Sequence, residues 1–412
     1  MKTRAVRLYG AKDLRLEEFE LPPVKESEIL IRIVSDSVCM STYKTAVQGA
    51  AHIRVPNDVA EHPAIIGHEF CAEVSKVGSR WKDAYQPGDK VVIPPVLSYL
   101  GTMDTIGYSF GEIGGDATYA LVYEHVIENG YLMKITSDAF FRGSLVEPVS
   151  CVVRGFKETF HLNADGTHVT GLKEGGKVAL LASCGPMGLE AIDWALHSEY
   201  QPAMVVVCDL DQKRLDHAKQ IFDPAEAEKR GIQLVFTPEA NAEALREISG
   251  GTGFDDVFVY IANKNVVELA DAILGFDGCL NFFSGPTDKN FSVPLNFYNV
   301  HYAQHHVAGT SGSTTEDMRD VVEAISVGRI DPAVMITHIG GLDAVIDTTL
   351  RFPEIPGGKK LIYTHINLPL TALKDFGRLG RSDRLFRELD RLVGENRGLW
   401  SPEAERYLLE NF

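Results

Sequence analysis

The stretch KVALLASCGPMG, Lys177 to Gly188, joins an unbroken apolar run to a glycine-bearing turn. A strand buried on both faces of a parallel sheet reads as such a run. The turn Ser183-Cys184-Gly185-Pro186-Met187-Gly188 follows the dinucleotide pattern Gly-x-Gly-x-x-Gly, with Ser183 at the first glycine position. Gly185 lets the backbone approach a pyrophosphate, and Gly188 lets a helix pack closely on the strand. Leu189, Ile192 and Leu196 then recur at helical spacing. That helix presents free N–H groups to the phosphates at its start. A second strand, Met204 to Val207, leads to Asp209, 21 residues past Gly188, where a ribose-binding acid belongs. The competing reading is an ordinary strand–turn–helix junction with a solvated aspartate. The candidate coenzyme contacts are Ser183, Gly185, Pro186, Met187, Gly188 and Asp209. A carboxylate at Asp209 favours NAD, because it repels a 2′-phosphate. Lys213 and Arg214 lie close enough to soften the preference, so NAD or NADP is expected, with NAD slightly favoured.

Outward from this turn the alternation continues. Leu215, Ala218 and Phe222 form a helical stripe, and Val257 to Ile261 a strand. Val266, Leu269, Ala270 and Ile273 make another helix face. Cys279 to Phe283 and His306 to Ala308 read as further strands. Strands alternating with amphipathic helices predict a parallel sheet covered on both faces. His301, His305 and His306 precede the last of these strands and read as structural. Upstream, to about Glu147, the chain reads as mostly β, with Ile29–Val34, Glu73–Val77 and Lys90–Ile93 as strands and Tyr99 to Gly115 as a glycine-bearing loop. After about Ser313 the pattern is mixed. The final stretch, Leu368 to Phe412, is charged and helical, with Leu385, Phe386, Leu389 and Leu392 on one face.

The chain has 412 residues, 45% hydrophobic and 24% charged, with a net charge of −17. That balance disfavours nucleic acid and anionic membrane as partners, because long-range steering is repulsive. It leaves room for an anionic small substrate held by a few local lysines or arginines. No apolar run reaches the length of a membrane span, and the start has no signal-peptide core. The six cysteines are scattered without a Cys-x-x-Cys pair. A reducing, cytoplasmic setting fits them, and a four-thiolate structural zinc site does not.

Three places carry metal-capable side chains: Cys39, Gly67-His68-Glu69, and Glu147-Pro148. Taken singly, each has an ordinary reading. Cys39 serves as a small buried hydrophobe, His68 as a satisfied loop histidine, Glu147 as an acid opening a helix. Taken together, thiolate, imidazole and carboxylate are the ligand types of a catalytic zinc, which keeps one position open.

In that order and spacing, ahead of the Gly185-Pro186-Met187-Gly188 turn, these motifs resemble the zinc-dependent medium-chain dehydrogenase/reductases, the alcohol and polyol dehydrogenases. The resemblance covers nearly the whole chain. Glu147-Pro148 resembles the sorbitol dehydrogenase branch. The run GGKKLIYTHINLPLTALKDFGRLG and the later GLWSPEAERYLLEN resemble its L-sorbose-1-phosphate reductase group. The resemblance implies an α/β plus β-rich fold: a GroES-like catalytic domain (1–155 and 313–412) interrupted by a Rossmann doubly wound parallel-sheet domain (156–312). It implies one catalytic zinc per chain, held by Cys39, His68 and Glu147, with Glu69 as a fourth ligand or a tuning carboxylate and Cys151, one helical turn past Glu147, as an alternative ligand. Structural-zinc cysteines are absent from Tyr99–Gly115. Ser41 takes the place of a hydroxyl proton relay. Lys44 takes that of the relay's outer group, or holds a substrate phosphate, or is a solvated lysine. Ser284 lies where the nicotinamide half is contacted. The implied reaction is reversible hydride transfer between NAD(P)H and the ketone of a ketose phosphate, L-sorbose 1-phosphate to D-glucitol 6-phosphate. Alternatives are an unphosphorylated polyol or secondary alcohol as substrate, or a catalytically silent nucleotide-binding protein. A homodimer or homotetramer is expected.

Overall fold

A run of ten residues, Ile29–Val38, forms the strand around which the first part of the molecule is organised. In the computed structural model, which describes residues 1–163, 165–286 and 288–412, this strand (β1) is buried on both faces. Ile29, Ile31 and Ile33 enter one core cluster, and Val38 another. The strand runs four residues beyond Val34, through Ser35, Asp36 and Ser37, which are fully buried. Those polar residues conceal the strand's end in the sequence. β1 pairs antiparallel with β2 (Phe70–Val77), with Tyr119–Val122 and with Lys359–Tyr363. The register sets Asp36 opposite Phe70 and Val38 opposite Lys360. Helix α1 (Met40–Gln48) starts immediately after, with Cys39 at its N-cap. The ends of three strands and one helix therefore meet at residues 36–40, 67–70 and 359–360.

The chain divides into two units. One comprises 1–147, 314–328 and 336–412, the other 148–313 and 329–335. In the first, an eight-stranded sheet contains β1 and β2, and a three-stranded sheet shares a core with it through Ala5 and Ile65. Its C-terminal helices, Arg384–Glu395 and Pro402–Asn411, bury Phe386, Leu389, Val393 and Leu408. The buried Glu405 accepts hydrogen bonds from the backbone N–H of Phe140 and Phe141 and from the Tyr363 hydroxyl, at 2.5, 2.8 and 2.8 Å. Helix α2 (Val146–Lys157) carries Glu147 in its first turn.

The second unit is a six-stranded parallel sheet: β3 (Lys177–Leu181), β4 (Met204–Cys208), β5 (Gln233–Thr237), β6 (Phe254–Val259), β7 (Leu274–Phe282) and β8 (His306–Gly309). The order β5-β4-β3-β6-β7-β8 is the doubly wound arrangement that binds dinucleotides where the order reverses. β5 announces itself only by a three-residue apolar run, Leu234 to Phe236. It is an edge strand, and Val235 and Phe236 are only half-buried. No helix of the described residues is long and apolar enough to cross a membrane.

Candidate active site

The first unit gathers a thiol, an imidazole and a carboxylate. Cys39 Sγ lies 3.4 Å from His68 Nε2. One ligand atom each from Cys39, His68 and Glu69 fall within 4.8 Å of one another. A tetrahedral zinc with bonds of about 2.3 Å to sulfur and about 2.0 Å to nitrogen holds those two atoms roughly 3.5 Å apart, so the pair fits one shared ion. Burial, then Glu69, push the Cys39 thiol up to about 12, with Lys359 pulling the other way. A thiolate there calls for a cation, which zinc supplies.

Backbone sterics put His68 in place. Gly67 has φ +88°, and a Cβ on it would sit 2.4 Å from Asp36 Oδ2. Gly107, at φ +82°, would collide with the Gly67 carbonyl at 2.2 Å. This approach of one glycine to another brings Tyr108 against His68, with its hydroxyl 3.4 Å from Nε2. Beneath them the buried Asp36 and Asp116 share a site, and Asp36 Oδ1 accepts the Glu69 N–H at 3.0 Å. Burial and the adjacent acid raise Asp36, and burial raises Asp116 to about 7. Two carboxyls so close retain a proton near neutrality.

Glu69 is engaged on both oxygens by the buried Lys359 Nζ, each at 2.6 Å, and the Ser37 hydroxyl also donates to it. Burial pulls Lys359 down, but Glu69 and Cys39 outweigh it and its ammonium is held above the ordinary value. Glu147 acts by its charge on Cys39, Tyr108 and Lys359. Cys151 lies one turn further along α2 and is not disulfide-bonded. Ser41 is exposed at the start of α1. Lys44 is half-buried on the same helix.

In the second unit the turn after β3 is shaped by backbone contacts. Ser183 is fully buried, and its hydroxyl donates to the Leu180 carbonyl at 2.9 Å. Gly185 caps α3 (Pro186–His197), with Pro186 in the first turn, as its missing N–H permits. A Cβ on Gly188 would lie 2.1 Å from the Ser183 carbonyl oxygen, whereas one on Gly185 would meet nothing within 4 Å. Met187 is half-buried beside them. Asp209 accepts from the Cys184 N–H at 3.1 Å and the Asp211 N–H at 3.0 Å, which ties the turn to the end of β4. Arg214 is exposed, with Nε 3.7 Å from Asp211 Oδ2. The Ser284 N–H donates to the Val259 carbonyl at 3.3 Å. His306 Nε2 is 2.7 Å from Asp277 Oδ1, and His305 Nδ1 is 3.9 Å from Asp271 Oδ1. His301 rests edge-on against Tyr302.

Sequence reasoning missed Lys359, Tyr108 and the Asp36–Asp116 pair. Two consecutive lysines in the apolar run Lys359–Tyr363 carried a signal. Alternating faces bury both, and a buried ammonium needs a carboxylate. Tyr108 stood in a loop without periodicity and carried none.

Residues 25–130 match the family model for the alcohol dehydrogenase GroES-like domain, and residues 186–327 that for zinc-binding dehydrogenase. The chain is 45% identical to L-sorbose 1-phosphate reductase of Klebsiella pneumoniae, over 99% of this chain and 97% of that one. It is 44% identical to mannitol-1-phosphate 5-dehydrogenase of Aliivibrio fischeri, over 99% and 98%. Its fold is similar to that of 2R,3R-butanediol dehydrogenase from Bacillus subtilis, with a TM-score of 0.68, 22% identity, and coverage of 88% of this chain and 100% of the other.

Proposed function

The chain belongs to the zinc-binding alcohol dehydrogenase family, and we propose that it interconverts a ketose phosphate and a phosphorylated polyol using NAD(P)H. The observation that carries this reading is full-length similarity to two enzymes that are both named for phosphorylated sugars or hexitols, joined to a Cys39–His68 pair 3.4 Å apart. L-sorbose 1-phosphate, reduced to D-glucitol 6-phosphate, is the substrate proposed.

Cys39 and His68 would hold the zinc, with Glu147 as the third ligand and Glu69 as a carboxylate gripped on both oxygens by Lys359. When bound, zinc polarises the substrate ketone and stabilises the charge that develops on its oxygen. The Ser183–Gly188 turn and Asp209 hold the coenzyme, and Ser284 supports its nicotinamide half. The coenzyme held there would supply the hydride that the ketone carbon accepts. Ser41, drawing on Tyr108 and solvent, delivers the proton that completes the alcohol. The buried Asp36–Asp116 pair holds the loop backbone under His68–Glu69. The protein works in the cytoplasm as a dimer or tetramer. Support for assembly comes from the exposed Val307 on edge strand β8 and the exposed Phe297, Tyr298 and Tyr302.

Two measurements on purified protein test this. Metal analysis should find one zinc per chain, and chelation should abolish turnover. Oxidation of NADH and of NADPH should then be followed with a panel of ketoses and their phosphates. Protein without zinc, or equal rates with and without the phosphate, would remove the assignment.

A further inference from the structure

In a chain with a net charge of −17, a half-buried cation outside ion-pair distance of every described carboxylate is conspicuous, and one lies against Tyr108. Arg54 Nη1 donates to Thr105 Oγ1 at 2.7 Å, and the guanidinium stands 5.9 Å from the centre of the Tyr108 ring. Among the described residues, no carboxylate approaches Arg54 or Lys44 within ion-pair distance. His52 stacks on the same ring, with centroids 5.6 Å apart. His52 Nδ1 accepts the Arg54 N–H at 3.3 Å, which leaves Nε2 to carry the proton and donate outward. Residues 50–57 and the exposed Asp104 bound a cavity of about 260 Å³. Burial, then Arg54 and Lys44, lower the His52 pKa, and Lys44 is half-buried on α1. Tyr108 joins the group to the metal-side cluster, since its hydroxyl is 3.4 Å from His68 Nε2.

A guanidinium fork with free N–H groups, an ammonium and an imidazole N–H match a phosphate monoester in charge and in donor geometry. We propose that Lys44, His52 and Arg54 form the subsite that holds the phosphate of the sugar substrate, a reading that rests on the ketose-phosphate assignment above. The sugar then spans from this subsite past Tyr108, with its ketone at the Cys39–His68 pair. The same chemistry would accept a coenzyme 2′-phosphate, so the experiment separates the two sources.

The experiment compares kcat/KM for L-sorbose 1-phosphate and for free L-sorbose in the wild-type holoenzyme and in Arg54→Leu, Arg54→Lys and His52→Gln, with zinc content matched. The ratio of phosphorylated to free substrate should fall about 10- to 100-fold in Arg54→Leu, the loss expected for charge-assisted hydrogen bonds to one phosphate, and mainly through KM. Arg54→Lys, which keeps the charge and loses the fork, should fall several-fold, and His52→Gln likewise. Inorganic phosphate should compete with the ketose in the wild type and more weakly in Arg54→Leu. The fall should be the same with NADH as with NADPH. If Arg54→Leu does not fold, the Arg54→Lys ratio decides. A high wild-type ratio that is unchanged in the Arg54 variants places the phosphate elsewhere and overturns the subsite, while the ketose-phosphate assignment stands. A fall in kcat/KM that is seen only with NADPH and is equal for the two sugars assigns the cations to the coenzyme and overturns it too. A wild-type ratio near one defeats the assignment itself, and the subsite with it.

Discussion

The metal-side cluster and the nucleotide turn are built by opposite means. Around His68 the chain brings together charges that would be costly alone: a buried ammonium, a carboxylate between its hydrogen bonds, and two facing acids. Each is tolerable only because its partners come from distant segments, Lys359 and Glu69 being 290 residues apart. Around Gly188 there is little charge to balance. The turn is set by carbonyl oxygens, N–H groups and the space left by a missing Cβ, nearly all of it within thirty residues. The first site is an electrostatic compromise that a cation completes. The second is a steric fit made before any ligand arrives.

If that contrast holds, the largest effect belongs to the imidazole. His68→Ala should take zinc from about one per chain to near zero and lower turnover by about a thousandfold or more, as loss of a ligand to a Lewis-acid metal predicts. Metal analysis and far-UV circular dichroism on the same sample check that the fold survives. Next comes Lys359→Met, which strands Glu69 as an unpaired buried charge. Breaking a buried pair by removing one partner costs about 3–5 kcal/mol. Thermal unfolding of zinc-free protein should show that cost, and zinc-loaded protein should show less of it, because the ion compensates Glu69. Equal losses with and without zinc would separate the ion pair from the metal site.

The nucleotide turn should answer differently at its two glycines, three residues apart. Gly188→Ala forces a Cβ to within 2.1 Å of a backbone carbonyl, and overpacking against backbone costs about 1–3 kcal/mol or more. Its signature is a lower melting temperature. Gly185→Ala meets nothing within 4 Å, so its melting temperature should stay put while the coenzyme dissociation constant rises, by about tenfold, from crowding of the pyrophosphate. A melting loss at Gly185 would break the comparison.

The same contrast explains what the sequence revealed. β3, the turn and Asp209 were legible because their rules are local: an apolar run, a glycine spacing, an acid at a set distance. The meeting of Cys39 and His68 was legible only as a set, since nothing local distinguishes a thiol beside an imidazole from one simply buried. Lys359 was visible as a letter but not as a partner. Its meaning depends on a strand register, Lys360 opposite Val38, that no nearby residue encodes. Tyr108 depends on two glycines meeting across 40 residues. Asp36, flanked by serines, disguised the end of the strand that carries it. Edge strand β5 was missed because an edge needs no continuous apolar face.

The smallest effect concerns pH, and here the two units lean in opposite directions. In the first unit, burial and then Lys360 and Lys374 lower His338 to about 4. The unfolded chain therefore takes up a proton that the folded site refuses, and this contribution to stability is lost as pH falls from about 6.5 towards 4. In the second unit, burial opposes charging of His161, but its hydrogen bond to Asp256, 3.0 Å long, outweighs it and raises the pKa. That contribution is present below about 6.5 and is lost as pH rises through the raised value. His338→Gln should flatten the acid side of a stability–pH curve, and His161→Gln should destabilise more at pH 6 than at pH 8. After allowance for solvent screening at the half-buried His338, its change is about 1 kcal/mol or less, and that at the buried His161 is of the same order. Denaturant midpoints across the pH series would detect it. Curves that shift in the same direction for both variants would mean that the two units do not divide their charge as the two sites do.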